Sequence, residues 1–140
     1  MNENPHENSE TIEMKPVGYV ENDYLEPVYN EEVYQKVSKV ILKEELKDGL
    51  YRIEDFKKLY IVFYFSKSTG CELIQRRRYD GKLSGVFANR SPHRPNNIGL
   101  TVVELLKVEG NVIHVKGLDA INGTPVLDIK PYIKEVEEND

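Results

Sequence analysis

Short apolar runs punctuated by turn residues, many of them β-branched or aromatic, pattern the chain from Lys15 onward and predict strands far more than helices. Pro16–Glu21 alternates enough for a first strand. The polar segment Asn22–Glu32, with Asn, Asp and Pro, reads as a loop, and Val33–Val37 as a short helical turn. Ser38–Lys43 is a second strand. Asp48-Gly49 is a turn, and Ile53–Leu59 places Ile53, Phe56 and Leu59 on one side of a short helix. Tyr60–Phe65 (YIVFYF) predicts a strand buried on both faces. Cys71–Arg77 is a strand that ends at the turn Asp80-Gly81, and Gly85–Ala88 is a short central strand. Leu100–Val108 and Asn111–Leu118 make a hairpin around Glu109-Gly110, with Ile113 and Val115 on one face and Val112, His114 and Lys116 on the other. Val126–Lys130 is the final strand, stopped by Pro131.

About seven strands with one or two short helices predict a mainly β fold, a small antiparallel β-barrel. No βαβ unit with a Gly-rich strand-to-helix turn occurs, which argues against a doubly wound dinucleotide-binding fold. No internal repeat is visible. The 140 residues suit one domain over 15–134, flanked by an acidic tail expected to be disordered over 1–14 and a second acidic tail over 135–140.

Composition narrows the function. The longest apolar run, Leu59–Phe65, is far short of the ~20 residues that a helical membrane span needs. No secretory leader pattern opens the chain, Cys71 is the lone cysteine, and His6, His93 and His114 lack metal-ligand spacing. A cytoplasmic protein without a metal is the expectation. The net charge of −5 is concentrated in the tails. Residues 66–100 carry Lys67, Arg76, Arg77, Arg78, Lys82, Arg90 and Arg94 against only Glu72 and Asp80, so a basic middle stands between acidic ends. A phosphate-bearing partner or a solvated charged face both fit.

Two irregular loops hold the chemistry. Asn89–Gly99 contains two prolines that stiffen it and two arginines rich in donors for carboxylate or phosphate; the alternative is a rigid connector whose arginines pair with Asp or Glu. Asp119–Pro125 offers a carboxylate, an amide and a permissive glycine, suited to ribose hydroxyls or an adenine edge, or else is an ordinary Asn-Gly turn.

The stretch Gly85–Leu100, GVFANRSPHRPNNIGL, resembles the first signature of the TrmO (TsaA-like, YaeB-like) family. Gly117–Tyr132, GLDAINGTPVLDIKPY, resembles its second. The similarity extends more weakly over Lys15–Ile133. It implies a dimeric β-barrel that binds S-adenosylmethionine and methylates N6 of the threonylcarbamoyl-modified adenosine beside the anticodon of tRNA. By position it implies cofactor contacts from Arg90 and Leu100 in the first motif. In the second it implies Leu118, Asp119, Ile121, Asn122, Gly123 and Thr124. Ser66 and Lys67 match a further pair that His usually leads. Three features depart from the bacterial enzymes: Ser66, Asn122 where Asp is common, and an acidic Asn22–Glu32 where they carry a Pro-Arg-Gln segment. The chain also stops before the C-terminal domain of some members. A binding module without transferase activity is therefore the competing expectation. Tyr19, Tyr64 and Phe87 are candidate liners for the cationic sulfonium, against the ordinary expectation that strand aromatics pack in the core. No catalytic base is assigned. Arg76, Arg78, Lys82 and Arg94 are expected to form a phosphate-binding surface for RNA beside the cofactor.

Overall fold

The structure, a computed structural model, describes residues 10–26 and 31–138. Most of the tail expected over 1–14, part of the loop expected over Asn22–Glu32, and the last two residues lie outside the described residues. Positions 10–14 form no helix or strand and are exposed.

Alternation of apolar and polar side chains folds six strands into one closed antiparallel barrel. They are β1 (Gly18–Glu21), β2 (Val37–Leu42), β3 (Lys58–Tyr64), β6 (Ile98–Glu109), β7 (Val112–Lys116) and β8 (Pro125–Pro131). Their order is β1-β2-β7-β6-β3-β8, and β8 pairs back onto β1 to close the ring. The short strands β4 (Ile74–Arg76) and β5 (Leu83–Gly85) pair only with each other, as a separate two-stranded ribbon.

The core is the inward register of these strands: Val40 and Leu42 from β2, Leu59, Ile61 and Phe63 from β3, and Ile113 and Val115 from β7. Each such burial contributes about 1.5–3 kcal/mol before entropy is counted. On β6 the inward positions are Gly99, Thr101, Val103 and Leu105, until a register irregularity against β7 between Leu105 and Lys107 shifts the parity to Val108. That shift lets the sequence VVELLKV keep an apolar side chain inward on both sides of the irregularity.

Three expectations change. Tyr60–Phe65 is not covered on both faces: Leu59, Ile61 and Phe63 are buried, whereas Tyr60 and Val62 are half-buried and Tyr64 is 42% exposed. A barrel needs only one filled face per strand, so an apolar run does not imply two. Gly85–Ala88 is no central strand; Gly85 ends the ribbon and Val86–Ala88 is a 3-10 turn. The helix expected over Ile53–Leu59 shrinks to a 3-10 turn at Ile53–Asp55, because Lys58 and Leu59 are drawn into pairing with β6. The C-terminal acidic stretch lies on the barrel as far as 138: Lys134–Glu137 form a helical turn, α1. There Tyr60 donates to Glu137 at 2.8 Å and Tyr132 to Glu138 at 2.8 Å.

Candidate functional site

Both irregular loops are braced into definite shapes by their own polar groups. In the first, the Asn89 side chain accepts from the Ser91 N–H, and the Arg94 guanidinium donates to the carbonyls of Asn89 and Ser91 at 3.1 Å each. The Phe65 N–H bonds the Asn97 carbonyl at 2.8 Å, which fastens this loop to the end of β3. The second loop is fastened to the start of the chain. Asn122 donates its N–H to Tyr24 O and accepts from the Asn22 N–H, and Gly123, at φ +85°, donates to Val20 O. Asn22 closes the arrangement by donating its amide to Ser38 Oγ and Ala120 O, both at 2.9 Å.

Between the loops opens a cleft of about 520 Å³, within the ~300–1,000 Å³ typical of small-ligand sites. Phe63 and Phe65, edge-to-face with centroids 5.1 Å apart, form its apolar floor. Ser66, Lys67 and Ser68 line it just beyond β3, and Arg90, Pro92 and His93 contribute from the first loop. Asp119, Ala120, Ile121 and Thr124 contribute from the second, and Leu25 and Glu26 from the segment after β1.

The charges of this cleft are uncommitted. Among the described residues, Lys67, Arg90, Glu26 and Asp119 take part in no salt bridge. Arg90 donates one Nη2 bond to the Leu100 carbonyl at 2.6 Å, which fixes the guanidinium against β6 and leaves its other N–H groups for a ligand. Asp119 accepts from Thr101 Oγ1 at 2.6 Å through Oδ1, which orients the carboxylate and leaves Oδ2 as a further acceptor. The His93 ring nitrogen Nδ1 lies 3.3 Å from the Thr69 carbonyl and 3.4 Å from Ser68 Oγ. The cleft thus offers two cations, two carboxylates, hydroxyls and an aromatic floor, which suits a zwitterionic ligand with an apolar ring.

The residues expected from sequence divide clearly. Ser66, Lys67, Arg90, Asp119, Ile121 and Thr124 meet at the cleft. Leu118 is wholly buried in the core, Leu100 stands 47% exposed on the outer face of β6, and Asn122 and Gly123 hold the loop rather than line the cleft. The aromatic liners are not Tyr19, Tyr64 and Phe87, which are neither in the cleft nor in the core; they are 46%, 42% and 83% exposed. Strand parity gives the floor to Phe63 and Phe65, one residue to either side of Tyr64. Leu25, Glu26 and Ser68 carry no local signal in the sequence, because only loop packing brings them to the cleft, whereas Ala120 lies within the second signature. Of the basic set, Arg76, Arg78 and Lys82 are exposed on or beside the ribbon, but Arg94 is turned inward to brace its own loop.

Residues 23–138 match the family described as the tRNA-methyltransferase O N-terminal domain. The chain is 36% identical over 129 residues to the S-adenosyl-L-methionine-binding protein of Archaeoglobus fulgidus, covering 89% of this chain and 91% of that protein. It is 50% identical over 92 residues to the tRNA (adenine(37)-N6)-methyltransferase of Homo sapiens, covering 64% of this chain and 21% of that protein. The crystal structure of TrmO from Pseudomonas aeruginosa superposes with a TM-score of 0.73 at 28% identity, covering 91% of this chain and 58% of that one. Several relatives are much longer, and the chain spans only 21–35% of their length. With the match spanning most of the barrel and both motif loops, the chain belongs to the tRNA-methyltransferase O N-terminal domain family.

Proposed function

We propose that the cleft binds S-adenosylmethionine and that the chain is a tRNA methyltransferase acting on N6 of the modified adenosine beside the anticodon, in its threonylcarbamoyl form. The observation that carries this is the set of uncommitted charges of both signs around an aromatic floor. S-adenosylmethionine is an amino acid zwitterion joined to a nucleoside, and each of its parts has a counterpart here. Arg90 and Lys67 suit its carboxylate, Asp119 its ribose hydroxyls, Glu26 its ammonium, and Phe63 and Phe65 the adenine ring or the sulfonium. When bound, the cofactor supplies an electrophilic methyl group. The chain's part is to hold the acceptor nitrogen in line and keep water out, and the stiff loop containing Pro92 and Pro95 does so with little ordering left to be done on binding.

A second copy of the chain completes the proposed enzyme. On the outer face of β3 and β6, Tyr64 lies opposite Ile98, Val62 opposite Leu100 and Tyr60 opposite Val102, an apolar patch on an exposed sheet. Sedimentation should therefore show a dimer at micromolar concentration; a 16.2 kDa monomer that still binds cofactor would refute this.

Isothermal calorimetry with S-adenosylmethionine, followed by methyl transfer to tRNA from cells lacking the activity, tests the proposal. Binding without transfer would favour a second reading, a binding module. Glu26 supports that alternative: it gives the cleft a carboxylate from the segment where the family resemblance implies Pro-Arg-Gln.

A further inference from the structure

The β4–β5 ribbon stands outside the barrel and exposes an unusual combination of side chains. Ile74 pairs with Gly85 and Arg76 with Leu83, so these positions share one face, while Gln75 and Ser84 share the other. The second face turns toward the first motif loop, where Gln75 donates to the His93 carbonyl. The first face is solvent-facing: Ile74 is 61% and Leu83 62% exposed, and Arg76 is exposed beside them. At the ribbon tip Tyr79 is 74% exposed, with the Arg77 guanidinium 5.1 Å from its ring centroid and Arg77 itself held by Asp80. At the base, on the turn leading into Arg90 of the cleft, Phe87 is 83% exposed.

Two aromatic rings and two aliphatic side chains in solvent mark a contact surface, and the charge around them selects the partner. Between residues 73 and 87 the ribbon carries Arg76, Arg77, Arg78 and Lys82 against Asp80 alone. An isologous contact of this face with a second copy would bring the same cations together, which opposes association. Flat rings interleaved with cations match a single-stranded polynucleotide, whose bases stack and whose phosphates pair.

We propose that Phe87 and Tyr79 are nucleobase-stacking platforms for unpaired RNA, with Arg76 and Lys82 meeting the backbone phosphates, so that the ribbon holds the loop of a stem-loop RNA beside the cleft. This rests on the tRNA reading above and goes beyond it by assigning recognition to unpaired bases and to named rings. Arg94, whose guanidinium is turned to the carbonyls of its own loop, takes no part.

The test is fluorescence anisotropy of the whole chain with two probes, a short stem-loop RNA with a single-stranded loop and a blunt RNA duplex. Phe87→Ala should weaken stem-loop binding by about 5- to 150-fold, the effect of removing one base stack. Phe87→Trp should retain it, duplex binding should be unaffected, and the salt slope should stay that of the wild type. Arg76→Gln/Lys82→Gln should instead flatten the salt dependence, by about 0.7 for each phosphate of a single strand that is no longer neutralised. Phe87 is almost fully exposed, so circular dichroism of the variant should match the wild type. Wild-type stem-loop affinity in both Phe87→Ala and Tyr79→Ala would overturn the proposal. So would an equal weakening on duplex, or sedimentation showing that Phe87→Ala splits a dimer and that RNA affinity follows the association state. The last result would give the face to a second copy. A chain that binds cofactor and methylates tRNA with RNA affinity indifferent to both Phe87 and Tyr79 sinks the platform alone. A chain that binds the stem-loop through Phe87 but takes no cofactor sinks the cofactor reading alone.

Discussion

Gly99→Ala should disturb the cleft from behind. Gly99 lies inward on β6, paired with Phe63 on β3, and is buried. A methyl group added there would sit 2.5 Å from Phe63 Cζ, 2.6 Å from Phe63 Cε2 and 2.9 Å from Phe65 Cζ. All three separations are well inside the carbon–carbon optimum of about 3.5–4.0 Å, so at least one ring must shift by about an ångström. The two shortest separations are to the Phe63 ring, which is 1% exposed, and the third is to the half-buried Phe65; both rings line the cleft, the open space beside them. Relief is therefore directed into the ligand's space. Overpacking of this kind costs about 1–3 kcal/mol, which at this chain length lowers Tm by about 3–5 °C per kcal/mol. Ligand affinity should fall as well, because the displaced ring intrudes on the cleft. Calorimetric Tm and S-adenosylmethionine titration read the two effects. Phe65→Leu in the same chain should restore part of the Tm by removing the Phe65 ring from the clash. A Gly99→Ala variant with unchanged Tm and unchanged affinity would refute the packing argument.

Arg90→Ala should weaken S-adenosylmethionine binding by about 1.5–3 kcal/mol, the scale of a charge-assisted hydrogen bond, and unaltered affinity in a folded variant would remove Arg90 from the site. Asp119→Asn should cost a similar amount, whereas Thr101→Val, which removes only the bond that orients the carboxylate, should cost about 0.5–1.5 kcal/mol; additive effects in the double variant would show that Thr101 does not act through Asp119. At alkaline pH the hydrogen bond to Glu138 pushes the Tyr132 phenol up to about 12 from an ordinary 10.0. The neutral phenol is the donor, so its contribution to stability is complete below pH 10 and vanishes as the pH rises through about 12. With nine tyrosines and no tryptophan, ultraviolet difference absorbance follows this directly: Tyr132→Phe should delete a late-titrating phenol, and an unchanged titration curve would count against the bond.

The barrel strands are legible in the sequence because their cause is local. Side chains alternate with a period of two, so Ser38–Lys43, Leu100–Val108 and Asn111–Leu118 announce themselves, and the inward pair Ile113 and Val115 follows from parity alone. The two motif loops are equally legible, since prolines and Asn-Gly mark irregular backbone. Their sequence also carries the family resemblance, and six of the expected cofactor residues do meet at one cleft. What the sequence cannot express is which neighbour each element meets. YIVFYF reads as apolar throughout, and only closure of the barrel decides that Phe63 turns inward while Tyr64 stays outside. Gly85–Ala88 is as apolar as a core strand, yet β5 pairs with β4 alone, off the barrel, which leaves Phe87 in solvent. Arg90 and Arg94 are four residues apart in one loop and chemically identical. Tertiary geometry gives one a single carbonyl beside an open cleft and the other two carbonyls of its own turn. Local pattern sets conformation residue by residue, whereas partnership depends on the meeting of distant segments, which happens only once the barrel has closed.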